Sequence, residues 1–171
     1  PFNGYLTFPC ELTLRRTDEG IRLCAQPVRE IAKLHGKEHV RYCQALNSAS
    51  YSLPDVAGDL FDLQVEWAIG TAKELGVSIN GVPVTYDTSR QTLSCLGGRA
   101  VMPPVDGRIN LRILVDRVSL EVFGNDGRVY MSCGVIPGDG RPDPAVWTRE
   151  GTAEMVTLRV AELLSALRED Q

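Results

Sequence analysis

From Arg112 to Ser132 the chain reads RILVDRVSLEVFGNDGRVYMS, three apolar and polar alternations broken at Asp116-Arg117 and at Asn125-Asp126-Gly127. A period of two residues marks a strand, because successive side chains point to opposite faces of a pleated backbone. Three such runs joined by corners this short predict an antiparallel meander made of INLRILVD, SLEVF and GRVYMSCGVI. A chain built on this pattern has to cover one face of a sheet with something else.

The same signature fills most of the remaining sequence. LTFPCELTLRR predicts a first strand, the Asp18-Glu19-Gly20 turn ends it, and IRLCAQP returns as its hairpin partner. GDLFDLQVEWAI sets Leu60, Asp62, Gln64 and Glu66 against Phe61, Leu63, Val65 and Trp67, the pattern of a half-buried strand. In GVSINGVPVTYD the Asn80-Gly81 pair predicts a two-residue hairpin, because both turn positions want positive φ. Pro83 cannot donate to a ladder and so predicts that this hairpin lies at a sheet edge. QTLSCLGG and MVTLRV complete a set of about ten to twelve strands. The Pro- and Gly-rich VIPGDGRPDP reads as a long loop. Two places break the pattern: Pro27 to Gly36 has room for a helical turn, and AELLSALRED gathers Leu163, Leu164 and Leu167 as a short closing helix would. The class is all-β, with two packed antiparallel sheets or a barrel favoured over any parallel α/β arrangement.

The 171 residues suit a single domain, residues 1–171, that buries about 70% of its unfolded surface. A net charge of −4 with scattered basic residues gives no footprint for nucleic acid. No apolar run approaches the roughly 20 residues of a membrane helix, and no signal peptide opens the chain. Pro1 stands where an initiator Met would, which points to processing or to a piece of a longer polypeptide. Cys10, Cys24, Cys43, Cys95 and Cys133 are odd in number and far apart, so they predict buried free thiols rather than a disulfide framework or a zinc ribbon.

Within the meander, Leu111, Ile113, Val115, Leu120, Val122, Val129, Met131 and Cys133 share the face that predicts core. The opposite face mixes Arg112, Glu121 and Ser132 with Leu114, Phe123 and Tyr130. Large apolar groups gathered on neighbouring strands leave two readings open: another structure or a ligand covers part of this face, or these are scattered exposed hydrophobes of the ordinary kind. Asp116 and Asp126 sit at corners, where Asp serves the turn. Glu121 is the acid placed mid-strand, with Arg112 its expected neutraliser, a structural ion pair rather than a catalytic group. The string His35-Gly36-Lys37-Glu38-His39 matches a zinc-peptidase spacing, but Gly36 weakens the helix that pattern needs, so a solvated loop or strand start is expected and no metal. Trp67 and Trp147 both fall in expected strands, which favours core packing for each.

Two stretches carry a resemblance. PFNGYLTFPCELTLRRTDEGIRLCAQPVREI and LRILVDRVSLEVFGNDGRVYMS resemble the C-terminal β-sandwich of glycoside hydrolase family 32, the invertase, levanase and inulinase family. VPVTYDTSRQTLSCLGGR and VWTREGTAEMVTLRVAELLSAL extend the likeness more loosely, and it is weakest between Tyr42 and Ile69. Cys10 departs from the family's usual arginine in its F/I-P-R-E-L string. The resemblance implies a two-layer antiparallel sandwich of jelly-roll or concanavalin-like type, following a five-bladed catalytic β-propeller. It also implies that the three acid motifs of that propeller, W-x-N-D-P-N-G, R-D-P and E-C, lie elsewhere. Asn125-Asp126-Gly127 lacks the Pro-Asn, Arg141-Pro142-Asp143-Pro144 has an intruding proline, and Pro9-Cys10-Glu11 reverses Cys and Glu.

The expected role is therefore a non-catalytic accessory domain of a fructan- or sucrose-cleaving hydrolase, with no cofactor. Its expected partners are a catalytic propeller and, less directly, an oligosaccharide or a second copy of the chain. The alternative is a fructan-binding module. Candidate interface or sugar-binding residues are Arg112, Leu114, Glu121, Phe123, Tyr130 and Trp147.

Overall fold

A computed structural model describes residues 6–17, 20–135 and 142–166. Fourteen strands lie among them, two more than the upper expectation. A hairpin of β1 (Cys10–Thr17) and β2 (Gly20–Pro27) comes first, then a 3₁₀ segment at Arg29–Leu34 that fills the place expected for a helical turn. The strands β3 (His35–Asn47), β4 (Ser50–Ser52), β5 (Phe61–Ala68), β6 (Glu74–Ile79), β7 (Val82–Asp87), β8 (Thr92–Cys95) and β9 (Gly98–Val101) follow. The expected meander is β10 (Arg108–Val115), β11 (Ser119–Gly124) and β12 (Val129–Gly134), and β13 (Ala145–Arg149) and β14 (Thr152–Leu163) close the fold.

Twelve of these strands form two six-stranded sheets, in the orders β12-β11-β10-β5-β14-β3 and β4-β13-β6-β7-β8-β9, and every pairing is antiparallel. The all-β two-layer sandwich is the observed architecture. Between the layers, Phe61, Leu63, Val65 and Trp67 of β5 meet Leu75, Val77, Ile79, Val84 and Tyr86 of the facing sheet. The alternation in sequence set this inward face, since each side chain lost from water stabilises by roughly 1.5–3 kcal/mol when large and apolar. Tyr86 brings a hydroxyl into the core and donates it to Met102 O at 2.9 Å.

The Asn80-Gly81 turn forms as the sequence predicts, with φ of +50° and +78° and Ile79 opposite Val82. Pro83 does not sit on an edge strand, because β7 pairs with β6 on one side and β8 on the other. The physical demand is met locally: β8 pairs only with Val84 to Asp87 of β7, so Pro83 has no ladder partner on that side that needs its missing N–H. The closing helix is also corrected. Ala161, Glu162 and Leu163 continue β14, held between β3 and β5, while Leu167 lies outside the described residues. Of the loop VIPGDGRPDP, residues 136–141 likewise fall outside them and 142–144 are irregular.

All five cysteines are free thiols; Cys24 and Cys95 are buried, Cys10 and Cys133 half-buried, and Cys43 is exposed, contrary to the buried expectation. Cys43 lies on the terminal strand β3, where it takes φ of +50° and is skipped in the register with β14 between Tyr42 and Gln44, so its context in sequence does not translate into cover.

Candidate functional site

The outward face of the first sheet is organised by register into three rows that run across the strands. One row aligns Ser132, Glu121, Leu114, Asp62, Ala161 and Glu38. The next aligns Tyr130, Phe123, Arg112, Gln64, Arg159 and Val40. A shorter third row holds Asn110, Glu66, Thr157 and Tyr42.

The middle of the first row, from Glu121 to Ala161, is buried together with Phe123 of the second. Ile31 of the 3₁₀ segment packs on Leu114 and Phe123, with Phe8, Cys10, Val28 and Leu163 around them, so of the two readings left open for the apolar patch the covered one holds here, and the chain's own N-terminal segment supplies the cover. Glu121, at 0% exposure, fastens that cover. Its Oε1 accepts from the Phe8 backbone N–H at 2.7 Å and its Oε2 accepts from the Tyr130 hydroxyl at 2.7 Å. A buried carboxylate tolerates its surroundings only when its oxygens are satisfied in this way. Phe123 stacks on Tyr130 with ring centroids 4.9 Å apart, which orients the hydroxyl.

Arg112 does not neutralise Glu121. Register places Leu114 opposite Glu121 and Arg112 opposite Phe123. The guanidinium instead turns to β5, where Nε and Nη2 donate to the two oxygens of fully buried Asp62 at 2.9 and 2.7 Å. His35 Nε2 lies 2.9 Å from the same carboxylate. Glu121 and Asp62 are two strands apart, about 9–10 Å by strand spacing. Leu114, itself without exposed surface, stands between them. Retaining glycoside hydrolysis places its two carboxyl groups about 5–5.5 Å apart across a sugar pocket, and this pair offers neither the spacing nor the space.

Asp116 behaves as a turn acid, its Oδ1 accepting from Arg117 N–H at 2.7 Å. Asp126 takes φ of +57° in its turn, and its backbone N–H donates to Asn110 Oδ1 at 3.0 Å. The two histidines begin β3, as a strand start, but His39 is buried rather than solvated. Its ring nitrogens lie 3.3 Å from Asp55 Oδ2 and 2.8 Å from Glu162 Oε1, and that second contact holds the Glu162 carboxyl below its ordinary range. His35 and His39 thus serve different carboxylates. Among the described residues no group of three or more His, Cys, Asp or Glu is arranged to hold a metal ion.

Trp67 is fully buried, and Trp147 lies on the outer side of the second sheet, flat against Gly76. The Arg149 guanidinium stands 4.7 Å from its ring centroid. With sheet backbone on one side and a guanidinium on the other, Trp147 presents no open ring face to a sugar.

Burial also leaves a titration signature. Desolvation, aided by Asp87, pushes the Tyr86 hydroxyl up to about 12, and desolvation followed by the Glu121 hydrogen bond does the same for Tyr130. The fold therefore holds both in the neutral form, with stability that is complete below the ordinary tyrosine value of about 10 and lost as pH rises through about 12. Absorbance titration of the phenolates should show two late tyrosines, with Tyr130→Phe removing one. Only ordinary titration near 10 would contradict this.

Residues 30–162 match the family described as glycosyl hydrolases family 32 C terminal. The chain belongs to that family. It is 28% identical over 194 residues to a levanase of Bacillus sp. (strain L7), covering 99% of this chain and 21% of the relative. It is 26% identical to a levanase of Bacillus subtilis (strain 168), covering 95% and 28%. The crystal structure of exo-inulinase from Aspergillus awamori shares the fold with a TM-score of 0.79 at 18% identity, over 94% of this chain and 36% of that one. The chain thus spans between about a fifth and a third of the curated relatives it matches.

What the sequence missed at this site are Asp62, read only as part of an alternation, and the three-row organisation of the face. The signal for Asp62 was present: an acid flanked by Phe61 and Leu63 in a strand pattern whose polar face should be solvated.

Proposed function

We propose that the chain is a non-catalytic accessory domain of a fructan- or sucrose-cleaving glycoside hydrolase and that it braces a catalytic propeller lying upstream. The observation that carries this reading is the outer face of the β1–β2 hairpin. Leu12, Leu14, Ile21 and Leu23 are 60–74% exposed, and Leu14 stands directly opposite Leu23. Register puts all four on one face of the ribbon.

An isolated two-stranded ribbon is marginal in water, so a hairpin with one bare apolar face calls for a partner. This ribbon is tethered to the sandwich by Ala25 N–H to Gly127 O at 3.0 Å, by Arg15 Nη1 to Asp126 O at 3.4 Å, and at its base by the Glu121 contact to Phe8. It follows directly on the first residues of the chain, the side to which a preceding domain would attach. Levanases and an exo-inulinase, each several times longer than this chain, are the relatives that support a fructan-cleaving parent.

The test is the Leu14→Asp/Leu23→Asp double variant in a polypeptide that includes the upstream domain. Because both side chains are exposed here, the sandwich itself should melt unchanged. The upstream domain should lose hydrogen-exchange protection where it meets the ribbon, and turnover of sucrose or fructan should fall at least tenfold. Unchanged protection and activity would remove the bracing role. A switch from dimer to monomer in sedimentation, with activity retained, would reassign the ribbon to self-association.

A further inference from the structure

While the middle of the first row and Phe123 of the second are buried, Arg112, Gln64 and Arg159 of the second row and Asn110, Glu66 and Thr157 of the third lie open. They floor a cleft of about 620 Å³. Gln26 and Pro27 of the hairpin, with Asp126 and Gly127, wall one side, and Val40 and Tyr42 of β3 rise at the other. The cleft runs across β10, β5 and β14, so its floor side chains are fixed by sheet register rather than by loops.

The chemistry of the floor is selective. Each guanidinium and carboxylate on it is already paired: Arg112 with Asp62, Arg159 with Glu38 through Nε and Nη2 at 3.1 and 2.6 Å, and Glu66 with Arg108 Nη1 at 2.7 Å. Asp126 adds a carboxylate at the rim. An anionic ligand would meet compensated cations and an acidic edge, and a cationic one would have to displace an arginine. In contrast, the amides of Gln26 and Gln64 and the hydroxyl of Thr157 make no side-chain hydrogen bond among the described residues, and all three line the cleft. Tyr42, 69% exposed at one end, offers a ring with a hydroxyl at its tip. Uncommitted amides and hydroxyls beside an exposed ring, with the charges already neutralised, are what a polyhydroxylated neutral ligand requires: hydrogen bonds for its hydroxyls and a flat apolar surface for its C–H face.

We infer that this cleft binds a neutral oligosaccharide, with Gln64 hydrogen-bonding its hydroxyls and Tyr42 packing on a sugar ring. Of the residues singled out from sequence, Arg112 and Phe123 line this cleft, whereas Leu114, Glu121, Tyr130 and Trp147 do not. The inference does not rest on the bracing role, because the cleft and the bare ribbon face are different surfaces.

The test is titration calorimetry of the chain with levan-type and inulin-type fructo-oligosaccharides and with cello-oligosaccharides as a second neutral class. Saturable, submillimolar binding to at least one is expected. Tyr42→Ala and Gln64→Ala should each weaken it about tenfold, the scale of one hydrogen bond or ring contact, with unchanged melting curves. Leu14→Asp should leave it unchanged. Raising salt from about 50 to about 500 mM should alter the affinity less than twofold, since no net charge is engaged. A flat response across the panel, binding indifferent to both cleft variants, or binding abolished by salt would each overturn the inference.

Discussion

Replacing Arg112 with leucine is expected to cost the fold about 3–5 kcal/mol. The Asp62 side chain has no exposed surface, and two of its close contacts come from this one guanidinium. Removing the arginine leaves a carboxylate in the middle of the sheet with, among the described residues, the His35 ring as its remaining side-chain partner. An uncompensated buried charge costs far more than the ion pair contributes, which is why breaking such a pair is severe and replacing both members is mild. Arg112→Leu/Asp62→Leu should therefore recover most of the loss. Against a typical domain stability of about 5–15 kcal/mol, the single variant should melt roughly 6–20 °C lower. A single variant within about 1 kcal/mol of the parent, or a double variant no better than the single, would show that Asp62 does not depend on this partner.

A second large effect is expected at Gly76. A Cβ there would lie 2.2 Å from Val84 O and 2.8 Å from Trp147 Cζ2. The first contact is with the backbone of the neighbouring strand, which cannot swing aside as a side chain would. Gly76→Ala should consequently destabilise by about 3 kcal/mol or more, the upper range of overpacking, and should lift Trp147 from the sheet. The shift would be read in tryptophan emission, because Trp67 stays sealed in the core and Trp147 reports the outer face. Placing the indole flat on a glycine also explains its burial on a face that would otherwise be solvated. Wild-type stability and emission in this variant would mean that the strands separate there at little cost.

The two variants probe different layers of the same design. Arg112 and Asp62 secure the sheet that carries the covered row and the open cleft, whereas Gly76 and Trp147 secure the sheet behind it. Glu121 links the first of these to the N-terminal segment, so the hairpin and its bare apolar face are set on the sandwich by one buried carboxylate and a few backbone contacts.

Much of this was legible in the chain. The strand periods, the Asn80-Gly81 hairpin, the core face of the meander and the turn role of Asp116 all follow from local rules, because the direction of a side chain in a strand and the φ of a turn residue are decided within a few positions. The mixed face was legible through Leu114, Phe123 and Tyr130 only as a choice between a covered face and scattered exposed hydrophobes, because the covering segment is not local to these strands. The closing helix was misread because Leu163 and Leu164 fit a helical spacing, while pairing with β3 and β5 offers the segment ladder partners that no local pattern records. The partner of Arg112 was misread for a related reason. Its nearest plausible acid in sequence was Glu121, yet the acid that holds it is 50 residues away on a strand that joins the meander only in the folded sheet.

By itself, then, the order of residues determined the class, most strands and which side of each would be greasy. Only the assembled sandwich decided which acids are sealed, which chain segment seals them and where a cleft stays open. Those outcomes depend on register between strands distant in sequence, and register shifted by one residue exchanges the two faces of a strand.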